Sequence, residues 1–139
     1  MALKHEFLIT DKEYALGEDF LEEESVEISD YLLLYINDTL KWIVTCWNNS
    51  KVKPGLNYYG YSIIKGEALH NFTKIIDVWK MIFLNAPTVF SLTGNYLLEE
   101  NQYEEIFVDA TKLINELNGL YQLCIKALNE NKQVLHKGI

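Results

Sequence analysis

Two cysteines and three histidines are the residues of this chain from which a nucleophilic or metal site would have to be built. Nucleophilic catalysis would need Cys46 or Cys124 beside one of His5, His70 and His136. Both cysteines are predicted to lie within or beside apolar helical stripes, where thiols are normally inert. The sequence therefore predicts two reduced cysteines in the core, and no thiol nucleophile.

The histidines also lack a metal-binding pattern along the chain. None of the three has a ligand-type residue three or four positions further on, and a metal ion needs side chains that cluster in space. His70 and Asp77 share one predicted helix face two turns apart, which is typical of a solvated surface. We therefore expect scattered histidines, no metal and no cofactor.

Carboxylates are plentiful, but their spacing does not indicate acid–base catalysis. Adjacent glutamates occur at 22–24, 99–100 and 104–105, and neighbouring carboxylates usually face solvent. A general acid needs a carboxylate whose pKa is raised in a dry site, and no pattern here predicts one. The sequence also lacks a glycine-rich phosphate loop and a G-x-S-x-G nucleophile turn. It thus predicts a protein that is not an enzyme.

The negative charge is concentrated in one short segment. Residues 11–30 contain nine acids and one lysine, a net charge of −8, and the net charge of the whole chain is also −8. Both a solvated acidic loop and a surface that captures a basic partner fit this pattern. The candidate partner-binding residues in this segment are Glu18, Asp19, Glu22, Glu23, Glu24 and Glu27.

The same composition argues against nucleic acid and membrane as partners. The chain contains no arginine, the residue best suited to phosphates and base edges, so we do not expect nucleic-acid binding. No apolar stretch is long enough to span a membrane, and the N-terminus reaches charged residues too early for a signal peptide. We therefore expect a cytoplasmic protein.

A second acidic group lies at residues 99–109, which contain five acids and no lysine. Its aromatic neighbours Tyr96, Tyr103 and Phe107 are suited to anchor an interface. A helix N-terminus, which favours negative charge through its dipole, explains the same acids equally well. The candidate partner-binding residues here are Glu99, Glu100, Tyr103 and Glu104.

Hydrophobic periodicity predicts the elements that position these residues. Residues 29–50 fit either one helix or a hairpin that turns at Asn37-Asp38, and the helix explains more positions. Further helices are predicted at 67–85 and 101–131, and either Asn101 or Asp109 caps the last one. Strands are predicted at 4–10, 13–20, 56–65 and 133–139. Residues 88–98 are predicted to form a strand followed by a turn at Gly94-Asn95. The expected fold is α+β: a small sheet with about three amphipathic helices packed against it, in a single domain of residues 1–139.

The segment 55–64, GLNYYGYSII, concentrates tyrosines and glycines in one predicted strand. Alternation places Tyr59 and Tyr61 on one face, which we predict to pack in the core. Tyr58, beside Gly60, is then predicted to be exposed and is a further candidate partner-binding residue. Alternatively, Tyr58 and Tyr59 line the pocket of a small-molecule-binding or enzymatic domain.

Residues 55–139 resemble the small immunity proteins of bacterial polymorphic-toxin and contact-dependent inhibition systems. The resemblance lies in LNYYGYSII before an amphipathic helix, in FSLTGNYLLEE, and in a long helix ending CIKALNENKQVLHKGI. Such proteins are small, cytoplasmic, non-enzymatic and often acidic, and each binds and blocks a cognate toxin domain. The resemblance implies the same role here, and the acidic surface implies a basic toxin domain as the partner. It does not assign the interface residues.

Overall fold

The computed structural model describes residues 3–11, 25–48 and 51–139. These residues form eight strands and three helices, so the predicted α+β class is confirmed. In chain order the elements are β1 (Lys4–Thr10), β2 (Val26–Ser29), α1 (Asp30–Leu40), β3 (Val44–Trp47), β4 (Val52–Pro54), β5 (Tyr61–Ile64), α2 (Glu67–Phe83), β6 (Val89–Leu97), β7 (Gln102–Asp109), α3 (Ala110–Asn129) and β8 (Gln133–Lys137).

Six of the described strands form one antiparallel sheet in the order β2-β1-β8-β5-β3-β4. The last strand of the chain, β8, therefore lies in the sheet interior between β1 and β5. Its residue His136 lies opposite Phe7 of β1 on one side and opposite Ser62 of β5 on the other. The remaining two strands, β6 and β7, form a separate antiparallel hairpin.

The helices pack on one face of the six-stranded sheet. Alternation along the strands points Phe7, Ile64 and Val134 toward this face, where they join the buried stripes of α2 and α3 in the main core. The opposite face carries a smaller buried cluster. Its members are Leu8, Cys46, Ile63 and Leu135, with Tyr61 packed against them.

The prediction of one helix over residues 29–50 is wrong in its second half. Helix α1 ends at Leu40, and Val44–Trp47 form strand β3. The segment WIVTCW is rich in β-branched and aromatic residues, which favour strands. It gains two strand neighbours, β4 and β5, and this long-range pairing outweighs the helical spacing of its apolar residues.

The prediction of one helix over residues 101–131 is wrong in its first third. Residues 102–109 pair with β6 as strand β7, and helix α3 begins at Ala110. Asn101 has a φ of 53°, so it forms part of the turn between the strands and does not cap a helix. The alternative cap is correct, because the Asp109 carboxylate accepts a hydrogen bond from the Lys112 backbone N–H at 3.2 Å.

The face assignment of the tyrosine segment is wrong for Tyr58 and Tyr59. Residues 57–60 form a turn, closed by a hydrogen bond from the Gly60 N–H to the Asn57 carbonyl at 3.2 Å. Strand alternation therefore begins only at Tyr61. Tyr59 is 79% exposed, and Tyr58, which we expected to be exposed, is half-buried.

The remaining predicted helix and strands agree with the structure where it describes them. The predicted strands 4–10 and 133–139 and the helix 67–85 correspond to β1, β8 and α2. The strand predicted within 88–98 is β6, but the turn predicted at Gly94-Asn95 is wrong, because β6 continues through both residues to Leu97 with a bulge between Thr93 and Tyr96. The predicted strand 13–20 lies outside the described residues. Among the helices that the structure describes, none is long and apolar enough to cross a membrane.

Both cysteines are free and buried, as predicted, although Cys46 lies on a strand and not on a helix. Burial raises the pKa of the Cys124 thiol to about 12, against the opposing effect of its hydrogen bond with Thr73. Its thiolate is therefore scarce at neutral pH, and reagents reach either sulfur only through opening of the fold.

We predict that a thiol reagent labels the native protein about a hundredfold more slowly than the denatured protein, because labelling requires opening of the fold. Single-cysteine variants, Cys46→Ala and Cys124→Ala, assign the rate of each thiol. Fast labelling of either native thiol would contradict the burial described above.

Candidate functional site

Two histidines that are 131 residues apart in sequence meet on the inner face of the sheet. His5 of β1 and His136 of β8 are fully buried, and His5 Nδ1 lies 2.9 Å from His136 Nε2. Their rings are stacked with centroids 5.1 Å apart. The expectation of scattered histidines is therefore wrong for this pair, because the pairing of the first and last strands brings them together.

The histidine pair continues into a chain of hydrogen bonds at both ends. His5 Nε2 lies 2.9 Å from Asp30 Oδ1, and the Tyr58 hydroxyl donates to the same oxygen. At the other end, Ser62 Oγ lies 3.4 Å from His136 Nδ1 and accepts the Asn57 backbone N–H at 2.6 Å. We call Ser62, His136, His5 and Asp30 the polar chain.

Burial sets the protonation state of the polar chain. Desolvation lowers the pKa of His5, although the hydrogen bond and charge of Asp30 oppose it. Desolvation, followed by the charge of His5, lowers the pKa of His136 to about 3. Both imidazoles are therefore neutral at pH 7 and each carries a single ring N–H.

One direction of donation satisfies every member of the polar chain. The Asp30 carboxylate only accepts, so the His5 proton lies on Nε2 and its Nδ1 accepts. His136 must then donate from Nε2, which leaves its Nδ1 to accept the Ser62 hydroxyl. The polar chain is thus a continuous set of hydrogen bonds that ends on a carboxylate.

The polar chain contains the residue types of a nucleophile with its base, but its geometry does not present a nucleophile. Ser62 is fully buried in the sheet and its oxygen is occupied by the Asn57 N–H. A substrate therefore has no path to this hydroxyl. In the parts of the chain that the structure describes, no three His, Cys, Asp or Glu side chains are arranged to hold a metal ion.

An open cleft of about 570 Å³ begins where the polar chain reaches the surface. One wall is a single face of α1 and its C-cap, at the spacing i, i+4, i+7 and i+11. Its residues are Asp30, Leu34, Asn37 and Lys41. Opposite them lie Trp47, Tyr58 and Tyr59. Tyr58 and Tyr59, which the alternative interpretation of the sequence places in a pocket, therefore both line this cleft.

The tyrosine turn at the cleft is held by the end of the chain beyond β8. The Gly138 N–H donates to the Gly60 carbonyl at 2.7 Å, and the Ile139 N–H donates to the Tyr58 carbonyl at 3.0 Å. A Cβ at position 138 would lie 2.1 Å from the Tyr58 carbonyl oxygen. Only glycine permits this close approach, which fixes Tyr58 against Asp30.

A second candidate surface lies on the β6–β7 hairpin. Its inner residues, including Leu92 and Val108, are buried in the main core. On the outer side the Tyr96 and Tyr103 rings meet edge to face at 5.0 Å, and Tyr103 and Phe107 are 60% and 72% exposed. The outer hairpin face comprises Val89, Ser91, Thr93, Tyr96, Tyr103, Glu105, Phe107 and Asp109.

The structure places the described partner-binding candidates in five different environments. Exposed Glu99 and Glu100 lie in the hairpin turn, and Tyr103 lies on the outer hairpin face. Exposed Glu104 points to the other side, near Gly94. Glu27 forms an ion pair with Lys4 at 2.8 Å. Tyr58 lines the cleft, and the remaining candidates, Glu18, Asp19, Glu22, Glu23 and Glu24, lie outside the described residues.

Sequence reasoning missed Asp30 as a site residue and left Glu105 and Phe107 out of the candidate set. The period-two pattern Tyr103, Glu105, Phe107 would have placed the last two on one strand face. No local signal distinguishes Asp30 from the other acids of the segment 11–30, because its partners are distant in sequence. Comparisons with protein-family models, curated proteins and solved structures found no match.

The lowered pKa values of both histidines predict a pH-dependent stability. The folded pKa values lie below the ordinary value near 6.5, so the unfolded chain takes up protons that the native chain does not. Stability is therefore highest above pH 6.5 and falls as the pH drops from 6.5 toward 3. Each histidine contributes a slope of up to about 1.4 kcal/mol per pH unit.

Urea unfolding between pH 7.5 and pH 5 tests this prediction. His136→Gln retains an N–H that can donate to His5 but does not titrate, so its free energy of unfolding falls less steeply than that of the wild type. His70→Gln makes the same chemical change on an exposed residue and is expected to retain the wild-type slope. Equal slopes for His136→Gln and the wild type would show that His136 does not resist protonation in the native state.

Proposed function

We propose that this chain is a non-enzymatic immunity protein that binds and neutralises a cognate bacterial toxin domain in the cytoplasm. The proposal starts from the resemblance of residues 55–139 to such proteins. The observation that carries it further is the outer hairpin face, where Tyr103 and Phe107 are largely exposed beside acidic residues.

The exposed aromatic rings support a protein interface at the hairpin. Aromatic side chains are enriched at interfaces because one ring buries a large area and loses little conformational entropy. Tyr96 and Tyr103 already contact each other, and Phe107 continues the same face along β7. The buried inner residues hold the hairpin on the main core, so this surface is preorganised for a partner.

The charge around the hairpin supports a basic partner. Residues 99–109 contain five acids, and no lysine occurs between Lys80 and Lys112. The field of such a surface accelerates encounter with a basic protein by about 10–10³-fold at low salt. Individual surface ion pairs contribute only about 0.2–1 kcal/mol, so we assign steering to the acids and most of the affinity to the aromatic rings.

The acidic segment 11–30 has a supporting role in this proposal. Glu27, the one partner-binding candidate of this segment among the described residues, is already paired with Lys4, which reduces the charge that it offers to a partner. Tyr58, a candidate partner-binding residue from the sequence, is half-buried and donates its hydroxyl hydrogen to Asp30. We therefore assign the anchor role to Tyr103 and Phe107.

We predict that Phe107→Ala speeds dissociation from the toxin domain about tenfold or more, the effect of removing a buried aromatic anchor. The partner for this experiment is the C-terminal domain of a large secreted protein encoded next to this gene, or a protein captured from the native strain. Trp42→Ala removes another exposed ring outside the hairpin and is the matched control. Surface plasmon resonance measures both rates.

Charge reversal tests the steering role separately. Glu105→Lys is expected to slow association at low salt and to leave the thermal midpoint unchanged, whereas Asp38→Lys, on α1, changes the same charge away from the hairpin. Equal association rates for both variants would exclude the hairpin as the steering surface. If production of this chain does not relieve growth inhibition by the toxin domain, the proposed function itself is wrong.

A further inference from the structure

We infer that the cleft beside Asp30 is a binding site for an organic cation, a small molecule that carries a primary ammonium or guanidinium group. This inference concerns a surface separate from the outer hairpin face and does not depend on toxin binding. Its basis is a carboxylate that has no cationic partner among the described residues and is held in a fixed orientation beside two tyrosine rings.

The Asp30 carboxylate lacks a counter-charge among the described residues. Its side chain is 19% exposed and lies in the first turn of α1, where the positive end of the helix dipole attracts an anion. The basic side chain at hydrogen-bonding distance from it is His5, which is neutral at pH 7. Lys41 lies about 16 Å further along the helix, at about 1.5 Å per residue, and pairs with Asp38.

The hydrogen bonds of Asp30 leave one oxygen for a ligand. His5 and Tyr58 both donate to Oδ1, and no described residue donates to Oδ2. The carboxylate is therefore oriented by two donors before any ligand arrives, which lowers the cost of binding. An ammonium or guanidinium group would form a charge-assisted hydrogen bond with Oδ2.

The aromatic wall of the cleft suits the same kind of ligand. The Tyr58 and Tyr59 rings meet edge to face at 4.9 Å, and Tyr59 is largely exposed. A cation over a tyrosine face is attracted by the negative potential of the ring. The Lys53 ammonium already makes this type of contact with Trp47, 5.1 Å from the ring centroid.

The end of the cleft away from Asp30 restricts which chemical groups the rest of the ligand can carry. Lys41 disfavours a second positive charge there, and the amide of Asn37 offers hydrogen bonds to an uncharged polar group. The cleft therefore fits a ligand with one cationic end better than a polyamine.

Titration of the full-length protein with four small probes tests the inference. The probes are n-butylammonium, n-butylguanidinium, butyramide and butyrate. Binding of each probe is monitored by NMR, through the backbone amide signals of residues 30, 34, 58 and 59. The two cationic probes are expected to give saturable shifts with a dissociation constant on the order of 1–10 mM. Equal shifts from butyramide or butyrate would overturn the inference.

Variants separate the cleft from general attraction to an acidic protein. Asp30→Asn is expected to weaken cation binding about tenfold or more, whereas Asp38→Asn removes the same charge from an exposed site on α1 and retains binding. Tyr59→Ala changes an exposed ring, so it leaves the fold intact and weakens binding several-fold. Undiminished binding by both Asp30→Asn and Tyr59→Ala would refute the site. Phe107→Ala is expected to bind the cationic probes normally, which keeps this test independent of the hairpin.

Discussion

The burial of two imidazoles inside the sheet is the constraint on which much of the structure depends. His5 and His136 are taken fully out of water, so each ring nitrogen needs a partner within the fold. The partners come from different elements: Asp30 from α1 and Ser62 from β5. The polar chain therefore ties the first strand, the last strand and the start of α1 to one another, and the Tyr58 hydroxyl joins the tyrosine turn to the same carboxylate.

The polar chain also connects the buried interior to one of the two surfaces that we propose as binding sites. The polar chain ends at the cleft, so the one member that retains solvent access is its carboxylate. The β6–β7 hairpin is built differently: its inner side is apolar and buried, and its outer side is aromatic and acidic. The Ser62 hydroxyl and both cysteine thiols lie in the interior, whereas the aromatic rings of Tyr59, Tyr103 and Phe107 face solvent.

The hydrophobic pattern of the sequence predicted secondary structure correctly for a helix with a continuous apolar stripe. It failed where pairing with a distant strand determines the secondary structure. The stripe of α2 specified its helix because Leu69, Phe72 and Ile76 recur at helical spacing and pack on one side. Apolar spacing alone predicts helices for residues 44–47 and 102–109, because it does not include the stabilisation that comes from pairing with a neighbouring strand. The turn at 57–60 likewise reversed the exposure expected for Tyr58 and Tyr59.

The sequence by itself determined the α+β class, the buried cysteines, the acidic character and the aromatic residues of the segment 99–109. These properties follow from composition and local periodicity, which do not depend on contacts between distant parts of the chain. Only the tertiary structure decided that His5 meets His136, that Asp30 terminates the polar chain and that Tyr103, Glu105 and Phe107 share one exposed face. The first of these contacts joins residues more than a hundred positions apart, and no local pattern encodes it, since it exists only once β8 lies between β1 and β5.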